Sequence, residues 1–349
     1  MDYLPILAPD LEFIFLKRTD APHRLSSAAN AREVVVHAAA NSPATMWWLP
    51  RVAPLEDVQL FHATFNIMPA GLTMPCVTTV HDIMWLTNPE WCKARFSRPL
   101  EGRFYRHGIN RALRSAAAIT TVSDASRQEL LRWKPELAGR VHAALLGVTG
   151  EHRPVGNAAE HLAGLGLEPG KRIVLTVGQY VPYKNHEGAL RVFAEACGNR
   201  EDTCFVFVQR LSRNAEDLRA LAGSLGIAER VHFLEAVDDA SLVALYAAAD
   251  CLLHPSFCEG FGLPLLEAMA CGCPVVASDH SAMPEVLGGA GLLAPVHDTA
   301  AMAEALRRVL DEPGLAETLR SAGLARAATF SWERFAVQNL AVYRSVLGC

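Results

Sequence analysis

Short apolar runs rich in β-branched and aromatic residues alternate with helix-patterned stretches along nearly the whole chain, and this alternation restricts the fold more than any other property of the sequence. In the first half the runs are EFIFL, EVVVHA, LFHATF, CVTTVHD and AAITTVS, each with the polar ends expected of a buried strand. Between the last two, FSRPLEGRFYRHGINRALRSA places apolar residues at helical spacing amid several arginines. In the second half RIVLTVG, CFVFVQ, RVHFLEA, CLLHPS and CPVVAS alternate with helical GALRVFAEAC, AEDLRALAGSLG, DASLVALYAAA and AMAEALRRVL. Such alternation implies parallel sheets with helices on their faces. The stretch EHRPVGNAAEHLAGLGLEPG between the two sets is polar and rich in Gly and Pro, and reads as a linker. The fold class is therefore α/β, with two doubly wound domains, residues 1–155 and 156–330, facing a central cleft. Open parallel sheets bind ligands at the carboxyl ends of their strands, so the site is expected in that cleft.

At 349 residues the chain can hold two ordinary cores, and 51% hydrophobic with 20% charged residues describes a compact protein. A net charge of −5 gives no general positive field for nucleic acid. Asp250 interrupts the best candidate for a membrane span, LVALYAAADCLL, and MDYLPILAPDLEF lacks a basic start and a cleavage site, so a cytoplasmic protein is expected. Nine cysteines contain no C-x-x-C pair, and Cys271 with Cys273 form a single C-x-C, which is thin support for a metal. No metal site is expected.

The segment EGFGLPLLEAMACGCPVVASDHSAMPE, from Glu259 to Glu285, carries the most chemistry. It sets two carboxylates, Glu259 and Glu267, with seven residues between them, around a turn into a helix. Gly260 and Gly262 permit a sharp turn and a close ligand approach, and Pro264 suits a first helical turn. The amides and dipole of that turn form an anion site, with Glu267 expected in the same turn, where its carboxylate can accept hydrogen bonds from two sugar hydroxyls.

This spacing, with GFGLP inside it and ACGCPVVAS after it, resembles the retaining glycosyltransferases of family 4, and the likeness runs from about Asp10 to Ser345. The resemblance implies the GT-B architecture of two Rossmann-like domains, with the C-terminal helix, 331–349, packing back on the first. It implies that Glu267 holds the donor ribose, that Glu259 faces the transferred sugar, and that the amides of Phe261, Gly262 and Leu263 face the sugar and diphosphate. His81, at the end of CVTTVHD, is expected to donate a hydrogen bond to a sugar hydroxyl or a phosphate oxygen; its plainer role is a loop histidine satisfied by Asp82. Lys184, in the loop opened by Gly178 and Gln179, matches the family lysine on the donor diphosphate. Tyr183 stands where the family has Arg and Gln179 where it often has a second base, so Arg210 is the candidate for further positive charge. The segment VHFLEAVDD, with Leu234 and Val237, resembles the loop that reads the nucleotide base, though Glu235 replaces its glycine. Ser123 reads as a helix N-cap. In the family a first strand and a Gly-rich loop open the chain; here the chain opens at what reads as the second strand, LEFIFLK, with both expected to be absent from this sequence: either the true start lies upstream, or the protein lacks this piece of its cleft and strand edges are exposed.

The function implied is transfer of a hexose, mannose by resemblance, from a GDP- or UDP-linked donor to a saccharide or lipid-linked acceptor with retention, without a cofactor, in polysaccharide or glycolipid synthesis. Arg103 to Arg114 offer either a peripheral membrane contact or a solvated face. The alternative is a non-catalytic relative that binds nucleotide or saccharide.

Overall fold

The computed structural model of the protein describes residues 2–21, 23–38, 41–92, 99–156, 158–208, 215–235 and 237–349. The chain divides into two compact units, one of Met1–Pro89, Arg95–Gly147 and Ser331–Cys349, the other of Glu90–Ala94 and Val148–Phe330. The break falls at Gly147, ahead of the 155/156 boundary read from the sequence. The stretch read as a linker is instead part of the second unit, where its residues 158–164 form a helix against a neighbouring one.

The first unit runs through α1 (Tyr3–Leu7), β1 (Phe13–Arg18), β2 (Ala31–Val36), α2 (Leu49–Val52), β3 (Phe61–Ala63), β4 (Cys76–Val80), α3 (Met84–Thr87), α4 (Pro99–Ser115), β5 (Ala118–Thr121), α5 (Asp124–Trp133) and β6 (Val141–Ala143). Strands β3, β4, β5 and β6 form a parallel sheet in that order, while β1 and β2 pair in parallel as a sheet of their own. Helix α4 buries Ile109, Ala112 and Leu113 and leaves Arg103, Arg106 and Arg114 exposed, the amphipathic division its spacing predicts. Ser123 caps α5, its hydroxyl accepting from the Ser126 amide at 3.0 Å.

The second unit contains α6 (Ala158–Gly164), β7 (Arg172–Val177), α7 (His186–Cys197), β8 (Thr203–Val208), α8 (Ala215–Ser224), β9 (Val231–Leu234), α9 (Asp239–Ala248), β10 (Cys251–His254), α10 (Leu263–Ala270), β11 (Val275–Ser278), α11 (Met283–Leu287), β12 (Leu292–Ala294), α12 (Thr299–Asp311) and α13 (Leu315–Ala327). Its parallel sheet has the order β12-β11-β10-β7-β8-β9. The chain starts in the middle at β7, winds outward through β8 and β9, and returns to the other side of β7 at β10, where Cys251 stands opposite Val174. The winding direction therefore reverses between β7 and β10, and loops leaving the two strands diverge around a crevice at their carboxyl ends. Phe193, Phe205, Phe207, Leu253 and Leu306 are wholly buried in the core that holds this sheet.

The last helix, α14 (Trp332–Leu347), belongs to the first unit. Its Leu340 and Tyr343 pack with Val77 of β4, Ala118 of β5 and Ala8 beside α1, and the Leu145 amide donates to Gln338 Oε1 at 2.9 Å. Gly147 lies against the start of this helix so closely that a Cβ there would stand 2.1 Å from the Trp332 nitrogen. Among the described residues no helix is long and apolar enough to cross a membrane.

Candidate functional site

The reversal point in the second unit is closed by two loops that are tied to each other. After β7, Gly178 has a φ of +147°, and a Cβ on it would meet the Lys184 side chain at 3.1 Å, so glycine lets the lysine lie over the turn. Asn185 adopts the left-handed conformation, φ +54°, which Asn tolerates better than most residues. Its Oδ1 accepts from the Gly188 amide at 3.2 Å and caps α7, while its Nδ2 donates to the carbonyl of Pro255, after β10, at 3.0 Å. The Phe257 amide donates to the Tyr183 carbonyl at 2.7 Å, a second tie between the loops.

Glu259 sits where these loops meet and is 7% exposed. Its Oε1 accepts from Lys184 Nζ at 2.7 Å and from His254 Nε2 at 2.9 Å. Burial alone pushes this carboxyl upward, but the Lys184 ammonium and the His254 hydrogen bond outweigh it and hold the pKa at about 2. Burial pushes His254 the other way, below its ordinary value, against the pull of Glu259. His254 is thus a neutral donor, with its proton on Nε2 because the partner is a carboxylate. Ser256 Oγ lies 3.1 Å from the same nitrogen, and Ser278 Oγ donates to the Ser256 carbonyl at 2.6 Å. The Glu259 backbone is gripped by Ser281, whose hydroxyl donates to its carbonyl at 2.7 Å. A carboxylate so held is fixed in both charge and position.

Gly262, with φ +96°, opens α10, and Pro264 stands in its first turn as the sequence predicts. Glu267 falls just past the first turn in which it was expected, because the helix begins at Leu263, one residue earlier than read. The carboxylate is therefore oriented by a side chain rather than by first-turn amides. Tyr246, buried on α9, donates its hydroxyl to Glu267 Oε2 at 2.9 Å; burial and the Glu267 charge together push this phenol well up. His152 Nε2 is 3.9 Å from Glu267 Oε1, beyond hydrogen-bond range, and its ring is 6.4 Å from that of Tyr246.

Lys184, Glu259, Gly178, Phe261, Gly262, Leu263 and Glu267 thus stand on adjoining loops and helix ends of one unit. Gln179 is exposed beside Gly178, Leu234 ends β9 and Val237 follows it, half-buried. Arg210 lies outside the described residues. His81 belongs to the first unit, where its Nε2 bonds the Thr64 carbonyl at 2.9 Å and its amide donates to Asn66 Oδ1 at 2.7 Å. It is satisfied by Thr64 rather than by Asp82, and in the neutral ring its other nitrogen accepts, so the donating role read from the sequence would require a change of that bond. His254, Ser256, Ser281 and Tyr246 are site residues that the sequence reading missed. The first two stand in HPS immediately before FCEGFG, and this adjacency is the signal that was available. Cys271 and Cys273 are buried; burial pushes Cys271 to about 12 and Cys273 higher, so both behave as core thiols.

The family described as glycosyl transferases group 1 matches residues 158–326, which span this site. The O-antigen chain mannosyltransferase B of Escherichia coli is 33% identical over 302 residues, 82% of this chain and 74% of that protein. The chain belongs to the group 1 glycosyl transferases. Within the same range of similarity, the MMP alpha-(1->4)-mannosyltransferase of Mycolicibacterium hassiacum is 33% identical over 80% of this chain and 67% of its own length. The D-inositol 3-phosphate glycosyltransferase of Actinosynnema mirum is 37% identical, and there the chain spans about half, 48%, of the relative. Among solved structures, the lipopolysaccharide glycosyltransferase WaaG superposes with a TM-score of 0.73 at 17% identity, over 99% of this chain and 94% of that one. Anabaena HepE in complex with UDP and glucose gives 0.70 at 18% identity, over 97% and 100%. These likenesses show that this group 1 glycosyl transferase has the two-domain GT-B fold.

Proposed function

We propose that the protein transfers a hexose, mannose or a close relative, from a GDP- or UDP-linked donor to a saccharide or lipid-linked acceptor with retention of configuration, and that it needs no metal or other cofactor. The observation that carries this reading is the buried Glu259 carboxylate, kept charged by Lys184 and His254 at the reversal point of a parallel sheet, with the α10 N-terminus beside it. The relatives that bear mannosyltransferase names, at 33% identity, support mannose as the sugar.

In this reading the donor diphosphate competes with Glu259 for the Lys184 ammonium. Lys184 and the first amides of α10 then stabilise the charge that grows on the diphosphate as its bond to the anomeric carbon breaks. Glu259, still held by His254, faces the positive character developing on that carbon. The acceptor oxygen bonds to the same face of the sugar, and its proton passes to the departing phosphate oxygen. Glu267, fixed through Oε2 by Tyr246, keeps Oε1 for a ribose hydroxyl. Calorimetric titration with GDP, UDP and ADP tests the donor site. One nucleotide is expected to bind in the micromolar range and to lose that binding in Glu267→Ala, and no binding to any of the three would overturn the reading. The anomer of the transfer product, read by NMR, tests retention.

A further inference from the structure

The second unit resumes at Val148, and the residues that follow form a turn held against the end of α10. The His152 amide donates to the Thr149 carbonyl at 3.1 Å, with Gly150 and Glu151 exposed between them. Just beyond the turn the Arg153 backbone hydrogen-bonds Cys271, and Pro154 lies near enough to Gly272 that a Cβ there would stand 3.7 Å from its Cγ. Cys271 is one helical turn past Glu267, whose carbonyl accepts from the Cys271 amide at 3.0 Å. The turn is thereby tied to the stretch of backbone that carries Glu267, and this brings the side chain at position 152 to that carboxylate.

His152 Nδ1 lies 2.9 Å from the Thr149 hydroxyl, which can donate to it and so keep the proton of the neutral ring on Nε2. Nε2 stands 3.9 Å from Glu267 Oε1, the two side chains being 17% and 21% exposed. Among the described residues Nε2 makes no hydrogen bond. The other oxygen of that carboxylate is taken by the Tyr246 hydroxyl at 2.9 Å, and the His152 ring lies 6.4 Å from the Tyr246 ring. A donor and an acceptor thus stand across a distance too long for a direct hydrogen bond. An oxygen about 2.8 Å from each would join them at an angle of about 90°, close to the spread between a hydroxyl's proton and its lone pairs. Only a hydroxyl satisfies both ends, since it accepts from Nε2–H and gives its proton to the carboxylate. An ether or carbonyl oxygen would face Glu267 with no proton to give.

We propose that His152 and Glu267 together read one hydroxyl of the donor ribose, which accepts from His152 Nε2–H and donates to Glu267 Oε1. The inference rests on the reading of Glu267 as the ribose-binding carboxylate and adds to it a second group on the same hydroxyl. His152 is in this way a specificity residue. A deoxyribose at this position leaves both a donor and a carboxylate oxygen unmatched, so the pair selects ribose more strongly than either group alone. Thr149 acts through His152, by fixing which ring nitrogen carries the proton.

The test uses whichever of GDP, UDP and ADP the protein binds, together with its 2′-deoxy and 3′-deoxy forms, and reads affinity by calorimetric titration. His152→Phe removes the donor and keeps a ring beside Tyr246. It is expected to weaken binding of the ribonucleotide by about 5- to 10-fold, as for one lost hydrogen bond. With one of the two deoxy forms, the unaltered protein and the variant are expected to agree within about twofold, because the hydroxyl that His152 reads is missing. His152→Ala, with the same expectations, takes its place should the Phe variant fail to fold. A loss of equal size with the ribonucleotide and with both deoxy forms would assign His152 to packing or to a bridging water and overturn the inference. Equal affinity of variant and unaltered protein for the ribonucleotide would overturn it as well. Glu267→Ala, titrated alongside, keeps the two readings apart: binding that falls in Glu267→Ala but not in His152→Phe removes only the role of His152. No binding of any nucleotide by the unaltered protein would remove both.

Discussion

Lys184 Nζ and Glu259 Oε1 stand 2.7 Å apart in an ion pair whose side chains are only 11% and 9% exposed. Removing one partner of such a pair strands a buried charge, at a cost of about 3–5 kcal/mol. Lys184→Met is expected to lose stability of that order in urea unfolding and transfer rate by about 100- to 1,000-fold. The double variant Lys184→Met/Glu259→Leu is expected to regain most of the stability and none of the activity. A double variant as unstable as the single one would show that the pair is not what the lysine contributes.

His254 acts on Glu259 through one hydrogen bond of 2.9 Å. His254→Leu leaves that carboxylate one donor short, at about 1–3 kcal/mol, and raises its pKa. The acid limb of the pH–rate profile is therefore expected to move to higher pH. His254→Gln, which keeps an N–H donor, is expected to restore most of the profile. A Leu variant with an unmoved limb would assign His254 to packing alone.

Tyr246 and Glu267 separate orientation from charge. Tyr246→Phe removes the donor to Oε2 while leaving the carboxylate in place, and nucleotide affinity is expected to fall by about 3- to 10-fold, as for one hydrogen bond of roughly 1 kcal/mol. Glu267→Ala is expected to cost at least ten times more in calorimetric affinity, because the carboxylate proposed to hold the ribose is gone.

Stability should decline in acid through three buried groups. Burial, with the neighbouring His81, holds His62 at about 4; burial, with Lys184, holds His186 at about 3. Both lie below the ordinary 6.5, and Glu259, at about 2, lies below its ordinary 4.5. Between the two values of each group the unfolded chain binds more protons, so stability rises with pH there and is lost as pH falls. The urea midpoint is expected to drop from near pH 6.5 downward, first through the histidines and, below pH 4.5, through Glu259 as well. Replacing both histidines with Asn should flatten the upper part of that decline.

Gly147 needs no unusual backbone angle, yet the atoms nearest a Cβ there are all backbone, at 2.1, 2.3 and 2.9 Å. Gly147→Ala is expected to destabilise the first unit by about 1–3 kcal/mol or more, read as a lower melting temperature. Gly139→Ala, where nothing lies within 4 Å, is the control.

The elements themselves were largely legible. Runs such as CVTTV and TCFVFV became β4 and β8 because a strand buried on both faces has to be apolar along its length, and that is a local property. Strands β6 and β12 were not read. The linker reading failed because Gly and Pro marked the turns on either side of α6, whose own packing on α9 local composition does not show. At the candidate site, Glu259, Glu267 and Lys184 were read from their motif, whereas Tyr246, which bonds Glu267, was not, because an isolated tyrosine on a helix has no local mark of such a contact.

The sequence by itself determined the α/β alternation, the glycine turn into α10, and the carboxylates and lysine on which the proposed function rests. Only the tertiary structure decided that Lys184 and His254 share one oxygen of Glu259 and that Tyr246 holds Glu267. The physical reason is the order of strands. Lys184 and Glu259 are 75 positions apart, and they meet because β10 returns to the side of β7 after the chain has wound through β8 and β9. Helix and strand patterns record which face of an element is buried, but not which element lies against it.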